Sequence, residues 1–264
     1  MDHVQGSDEG HLTFVKRNPS APAGFFACEA AGLSWLGEVG GGARCAKVVR
    51  FDETSLTLRR LRSVSPTREA ARDFGVRLAI THGAGAAAFG AGPDGWSGGG
   101  FFGPVSQPLP MSLTPHDSWG AFYATERLRP MAQLAAPRMP ATGRAALESV
   151  ANRCAAGGFD TNDEPDRIHG DLWSGNVMWT PDGAVLIDPA AHGGHRETDL
   201  AMLALFGCPH LSDVLDGYRS VRPLAPGFER RVALHQLYPL LAHVVLFGGG
   251  YADQSEAAAR NALS

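Results

Sequence analysis

The sequence predicts an α+β protein of two unequal lobes, a small β-rich one over residues 1–60 and a larger, mostly helical one over 61–264. Three observations predict this. Strand-like alternation is concentrated before residue 61, helical spacing dominates after it, and 264 residues exceed the usual size of one hydrophobic core.

Residues 12–16 alternate, which places Leu12, Phe14 and Lys16 on one face of a strand. Residues 25–36 have helical spacing, with Phe26, Ala30, Leu33 and Leu36 as the apolar stripe. Two further strands are expected over 47–51 and 55–61, around the polar turn Asp52-Glu53-Thr54, and the second leads into a hinge. Ser65-Pro66 reads as a helix start, a hydroxyl N-cap followed by proline at the first helical position. That helix is expected to reach about residue 81 and to bury Ala71, Phe74 and Leu78. Residues 83–103 are glycine-rich and aperiodic, and read as a long loop. Helices are expected over 119–128, 144–154, 198–205, 211–219 and 228–247.

Composition narrows the functional classes. A hydrophobic content of 44% and a net charge of −4 describe a soluble globular protein with no general attraction to nucleic acid or anionic membranes. No basic segment leads into an apolar one near the start, and the apolar stretch 237–247 is much shorter than the ~20 residues a membrane span needs. Cys28, Cys45, Cys154 and Cys208 lack metal or redox spacing and read as free thiols, so a cytoplasmic location is expected. His192, His195, Cys208 and His210 match no structural zinc spacing.

The chemistry is concentrated between residues 168 and 189. Ile168-His169-Gly170-Asp171-Leu172-Trp173-Ser174-Gly175-Asn176 is followed by two strand-like runs, 177–179 and 184–187, joined by the turn Thr180-Pro181-Asp182-Gly183. A hairpin centred near 182 sets Asn176 and Asp188 opposite each other at its open end, one loop from Asp171. Asn176 and Asp188 offer the oxygen ligands that Mg²⁺ prefers, and Asp171 is free to accept a proton from an attacking hydroxyl. That is the arrangement of kinase-type phosphoryl transfer.

These residues also carry a family resemblance. His169 to Asn176, Ile187-Asp188-Pro189-Ala190, and Gly194-His195-x3-Asp199-Leu200-Ala201 resemble the fructosamine kinase (ketosamine 3-kinase) family. That family belongs to the aminoglycoside-phosphotransferase-like branch of the two-lobed protein-kinase-like fold, and the resemblance runs from about Phe14 to about Tyr251. It implies that Lys16 contacts ATP phosphates, that Glu29 on the following helix pairs with it, and that Arg59, Arg60 and Leu61 form the hinge that reads adenine through backbone groups. His169 is expected to support the catalytic loop through ring hydrogen bonds, and Asp199 to fix it through backbone N–H groups. Trp173 has two roles open to it, stacking on a sugar ring or wedging the loop against the lower lobe. His195 falls in the family motif and is carried as a substrate-side candidate. Trp119, Tyr123 and Arg127 share one helix face; the aromatics are expected in the core and Arg127 at a solvated surface.

Two departures from the family stand out. Only fifteen residues precede Lys16, and Gly6-Ser7-Asp8-Glu9-Gly10 is at best a hairpin turn, where family members cover the nucleotide phosphates with a strand and a small turn. A truncated N-lobe or a start upstream of Met1 is expected, with the glycine-rich stretch 95–103 as first candidate to cover the phosphates instead. Arg59-Arg60-Leu61 also lacks the acidic residue usual in the hinge.

The resemblance implies an ATP- and Mg²⁺-dependent kinase acting on a sugar hydroxyl, O-3′, of small-molecule or protein-bound ketosamines, which amounts to deglycation. No nucleic-acid or membrane partner is expected. Phosphorylation of another hydroxylated substrate such as an aminoglycoside is one alternative, favoured if the acidic segment Asp160, Asp163, Glu164 and Asp166 faces the cleft. A nucleotide-binding pseudokinase is the other, suggested only by the short phosphate loop. The sequence leaves the sugar, the amine carrier and the oligomeric state open.

Overall fold

The computed structural model describes residues 12–264, so the turn proposed at Gly6–Gly10 lies outside the described residues. Strands β1 (Thr13–Arg17), β3 (Val48–Phe51) and β4 (Ser55–Arg59) form an antiparallel sheet in the order β1-β4-β3. Helix α1 (Phe25–Gly37) packs beneath it, burying Phe26, Ala30 and Leu33 against Leu56 and Leu58. Lys16 pairs with Leu56 and Phe14 with Leu58, so Lys16 lies on the face that α1 covers. The periodicity in 12–16 and 25–36 therefore places Lys16 over the helix as expected.

A two-residue strand, β2 (Arg44–Cys45), leaves this unit and pairs in parallel with β9 (Gly183–Leu186), the second arm of a hairpin begun by β8 (Val177–Thr180). Residues within the first 60 are thereby stitched to the hairpin that carries the catalytic motif.

Helix α2 (Arg68–Gly83) begins two residues later than Ser65-Pro66 suggests. Thr67 is the N-cap, its hydroxyl accepting from the Ala70 N–H at 3.1 Å. Thr67, not Ser65, supplies the capping hydroxyl, so Pro66 lies before the helix instead of at its first position. Residues 83–103 are largely loop, but end in β5 (Gly100–Phe102), which pairs with β6 (Leu109–Met111).

The helix expected over 119–128 continues to Ala135 as α3 (Trp119–Phe122), a π-helical stretch (Tyr123–Leu128) and α4 (Arg129–Ala135). Pro130 lacks the N–H that the Glu126 carbonyl would take, and the Arg127 guanidinium donates to that carbonyl at 3.1 Å. Arg127 is thus fully buried, contrary to expectation, over the Phe122 ring at 4.5 Å and donating to Ser112 O at 2.9 Å.

Helix α5 (Ala141–Ala155), the short pair β7 (Asp166–Ile168) and β10 (His192–Gly194), α6 (Arg196–Leu205) and α7 (Leu211–Val221) follow. The single helix expected over 228–247 is two, α8 (Phe228–His235) and α9 (Leu237–Phe247), and Pro239 sits in the first turn of the second, where its missing N–H is tolerated. A last helix, α10 (Tyr251–Leu263), has no counterpart in the sequence reading because its buried face is the small side chains Ala258, Ala259 and Ala262.

Helices α2 and α7 cross at glycines. A Cβ on Gly75 would fall 1.9 Å from Val214 O, and one on Gly217 would fall 2.1 Å from Arg72 O. No L side chain fits such a backbone approach without moving a helix. Gly75→Ala should therefore cost about 2 kcal/mol, as overpacked cores do, read as a lower urea midpoint. An unchanged midpoint would show that the two helices separate freely.

Candidate active site

Lys16 sits at the junction of three segments. Its Nζ lies 2.8 Å from both carboxylate oxygens of Glu29 on α1 and 3.0 Å from Asp188 Oδ1, beyond the hairpin. Burial alone would lower the Lys16 pKa; the Glu29 and Asp188 carboxylates outweigh it and hold the ammonium above its ordinary value. Asp188 is 40% exposed and adopts φ 56°, a left-handed conformation that Asp tolerates better than most residues.

The hairpin pairs Val177 with Leu186 and Thr180 with Gly183. Asn176 therefore faces Ile187, whose N–H donates to Asn176 O at 3.1 Å, and Asp188 lies one residue past the pairing expected for it. The left-handed turn at Asp188 follows that position and brings its carboxylate to Lys16.

Asp171 is half-buried at the mouth of the same pocket. The Asn176 amide nitrogen donates to Asp171 O at 2.8 Å and to Asp171 Oδ2 at 3.1 Å. Burial, reinforced by the negative charges of Asp188 and Asp199, pushes the Asp171 carboxyl well above the usual carboxylate range, against the Asn176 hydrogen bond.

The loop that presents Asp171 hangs from buried groups. Asp199, in the first turn of α6, accepts the His169 N–H at 2.8 Å and the Gly170 N–H at 2.9 Å, the role expected of it. His169 also supports the loop as expected. Its Nε2 donates to Ile187 O at 2.9 Å while its Nδ1 accepts the Asp171 N–H at 3.2 Å, a neutral tautomer consistent with the lowering of its pKa by burial. Gly170 has φ 80°, and a Cβ there would fall 2.3 Å from Ala190 O, so the turn requires glycine.

Two residues escaped the sequence reading. His82, at the end of α2, places Nε2 3.1 Å from Asp199 Oδ2 and Nδ1 2.9 Å from the Tyr218 hydroxyl. Burial opposes ionisation of Asp199, but its hydrogen bonds from His82 and the loop keep it below its ordinary value and charged. No local pattern marks His82 or Tyr218, because their partners lie 117 and 136 residues away.

The pocket itself has a volume of about 30 Å³ and is lined by Lys16, Glu29, Asp171 and Asp188, with Phe101 and Gly103 from the glycine-rich stretch. Cys28 also faces it; burial, helped by Glu29, pushes that thiol up to about 11, which leaves it protonated at neutral pH. Trp173 is 38% exposed, its ring over Gly175 and edge-on at 6.1 Å to Phe206, which belongs to the lower lobe.

Other candidates are not brought to this point. The backbone N–H groups of Arg59 and Arg60 are engaged by Lys47 O and Leu12 O, and Arg59, Arg60 and Leu61 line a separate open groove of about 1000 Å³. His195 is buried instead of facing a substrate: its Nδ1 accepts the Glu197 N–H as the N-cap of α6, and its Nε2 meets Thr161 at 3.0 Å. His195, Glu197 and His235 do cluster, but Arg231 takes both Glu197 oxygens, at 2.6 and 2.7 Å. That group is structural.

The fructosamine kinase family model matches residues 2–264. The chain belongs to the fructosamine kinase family. A probable ketoamine kinase of Synechocystis sp. is 38% identical over 184 residues, 69% of this chain but 59% of that protein. One of Enterococcus faecium is 31% identical over 93% of this chain and 86% of that protein. The crystal structure of a candidate fructosamine-3-kinase from Thermobifida fusca superposes with a TM-score of 0.86 at 47% identity, covering 95% of this chain and 85% of that one. An ADP-bound aminoglycoside phosphotransferase, 13% identical with a TM-score of 0.55 over 95% of this chain and 86% of its own, shares the fold. The two-lobed kinase-like architecture of this fructosamine kinase family member is thus the one its sequence predicted.

Two buried histidines near the loop give the molecule a pH response. Burial, with Arg127 adding repulsion, holds His192 at about 3, and burial, against hydrogen bonding to Glu197, holds His235 at about 4. Both values lie below the ~6.5 of an unfolded chain, so the unfolded state takes up protons first as pH falls. The stability they confer is full above pH ~6.5 and is lost as pH drops toward 4, by about 2 kcal/mol per histidine between pH 7 and 5. Urea unfolding of His192→Gln should show a loss over that interval smaller by about one such increment. Equal losses in variant and wild type would contradict a neutral buried His192.

Proposed function

We propose that the protein is an ATP-dependent kinase that phosphorylates a sugar hydroxyl of ketosamines. The observation that supports it best is the convergence of Lys16, Glu29, Asp188 and Asp171 at one pocket, with the Asn176 amide hydrogen-bonded to Asp171. All the charged parts of phosphoryl transfer are present, which argues against a pseudokinase.

Lys16 binds the nucleotide phosphates, held extended by Glu29, and the incoming phosphate replaces Asp188 as its second partner. Asp188 and Asn176 fit Mg²⁺ by the chemistry of their donors: one carboxylate is partly exposed, and one amide directs its nitrogen to Asp171 and leaves its oxygen available. When bound, the ion neutralises charge developing on the phosphates. Asp171 keeps one oxygen engaged by Asn176 and offers the other to the substrate hydroxyl. Its raised pKa makes it a better match for a proton leaving an alcohol than an ordinary carboxylate. Phe101 and Gly103 close the phosphate side of the pocket.

The acidic segment argues against an aminoglycoside. Asp160 accepts the Gly120 N–H at 2.8 Å, Asp163 pairs with Arg196 at 3.0 Å, and Asp166 pairs with Arg222. These three carboxylates are engaged within the fold, and with Glu164 the segment borders a hollow that shares no lining residue with the Lys16–Asp171 pocket.

Asp171→Asn should lower ketosamine-dependent ADP release by about 10²-fold or more while the urea midpoint stays within error. A ribulosamine or fructosamine should also outperform any aminoglycoside at least about tenfold in kcat/KM, about 1.4 kcal/mol in transition-state binding. Near-normal turnover by Asp171→Asn would remove its role as base. Robust aminoglycoside phosphorylation with inert ketosamines would reverse the substrate reading.

A further inference from the structure

A ketosamine has two halves, and the pocket accounts for only one of them. With the sugar hydroxyl at Asp171, the catalytic-loop residues that follow it in the chain are the nearest surface for the amine carrier. Trp173 stands there, and beyond residue 61 it and Phe247 are the exposed large aromatic side chains among the described residues, at 38% and 61%.

The two rings are the ends of one row of touching side chains. Trp173 meets Phe206 edge-on at 6.1 Å, Phe206 lies against His243 at 4.8 Å, and His243 touches Phe247 at 5.2 Å and Tyr251 at 4.9 Å. Phe206 closes α6, His243 and Phe247 lie on α9, and Tyr251 opens α10. His243 is fixed in this row because its Nδ1 donates to Pro239 O at 2.7 Å. The helix that carries His243 and Phe247 also approaches the pocket from a second side: a Cβ on Gly103, which lines the pocket, would lie 3.2 Å from Leu246 Cδ1 on α9. An aromatic ledge therefore runs from Trp173, which lies between Asp171 and Asn176 in the chain, through Phe206 and His243 to Phe247 and Tyr251. Apolar rings left in water beside a binding pocket mark a surface that gains by being covered.

Resting on the ketosamine kinase reading, we propose that Trp173, Phe206, His243, Phe247 and Tyr251 form a carrier subsite. It accepts the amine half of the substrate when that amine bears an aromatic or extended apolar group. Stacking and burial on the ledge then add affinity that a small polar carrier cannot gain.

The test uses one sugar coupled to two amines, glycine and tryptamine, with binding measured by calorimetry so that no turnover is required. The wild type should bind the tryptamine adduct at least about fivefold more tightly than the glycine adduct. Phe247→Ala, at an exposed position that leaves the core intact, should remove that preference and leave glycine-adduct affinity within about twofold. Equal affinities in the wild type, or equal weakening of both adducts in the variant, would overturn the subsite. So would a wild-type dimer in light scattering that Phe247→Ala dissociates, because the ledge would then be an interface between copies. If the preference appears but neither adduct supports ADP release, the subsite stands and the kinase reading falls.

Discussion

A lysine ammonium with little access to water is tolerated only beside carboxylates, and Lys16 has two of them. One, Glu29, belongs to the helix beneath its own sheet; the other, Asp188, lies beyond the hairpin that carries the catalytic motif. The same charge therefore fixes the strand on the helix and the upper lobe on the catalytic segment. β1 must place Lys16 on its inner face, α1 must end its first turns under that strand, and the hairpin must release Asp188 into a left-handed turn. Each is a local solution to one electrostatic constraint.

The catalytic loop obeys a second constraint of the same kind. Asp199 is a carboxylate with no exposure, and its charge survives because two loop N–H groups and His82 donate to it or face it at hydrogen-bond distance. What stabilises Asp199 thus also holds His169 and Gly170, and through them Asp171. Burying a charge in this way makes the loop rigid from beneath while its upper surface stays open to substrate.

Much of this was legible in the chain because the informative signals are short-range. Thr180-Pro181-Asp182-Gly183 specifies a tight turn, and that alone brings Asn176 near Asp188, although the register places Asp188 one residue further on. Alternation around Lys16 and helical spacing around Glu29 put the two on facing surfaces. What stayed hidden depends on distant partners. His82 and Tyr218 carry no local mark, and Arg127 looks like a surface residue until Pro130 and the Ser112 carbonyl give it something to satisfy. Two- and three-residue strands such as β2, β7 and β10 are too short to show a period, and α10 buries alanines, with no large apolar side chain among its buried residues to mark an inner face. His195 illustrates the opposite error, a motif histidine assigned to chemistry that in fact caps a helix.

The central claim is that the charge of Lys16, placed by Glu29, is what the nucleotide phosphates bind. Calorimetric titration of ATP with Mg²⁺ into the wild type and into the Lys16→Met/Glu29→Gln double variant tests it most directly. Removing both charges together avoids stranding a buried carboxylate, which by itself would cost about 3–5 kcal/mol of stability. The account predicts a folded variant whose ATP affinity is at least about tenfold weaker, the scale of a single charge-assisted hydrogen bond. A folded variant that binds ATP as tightly as the wild type would contradict it.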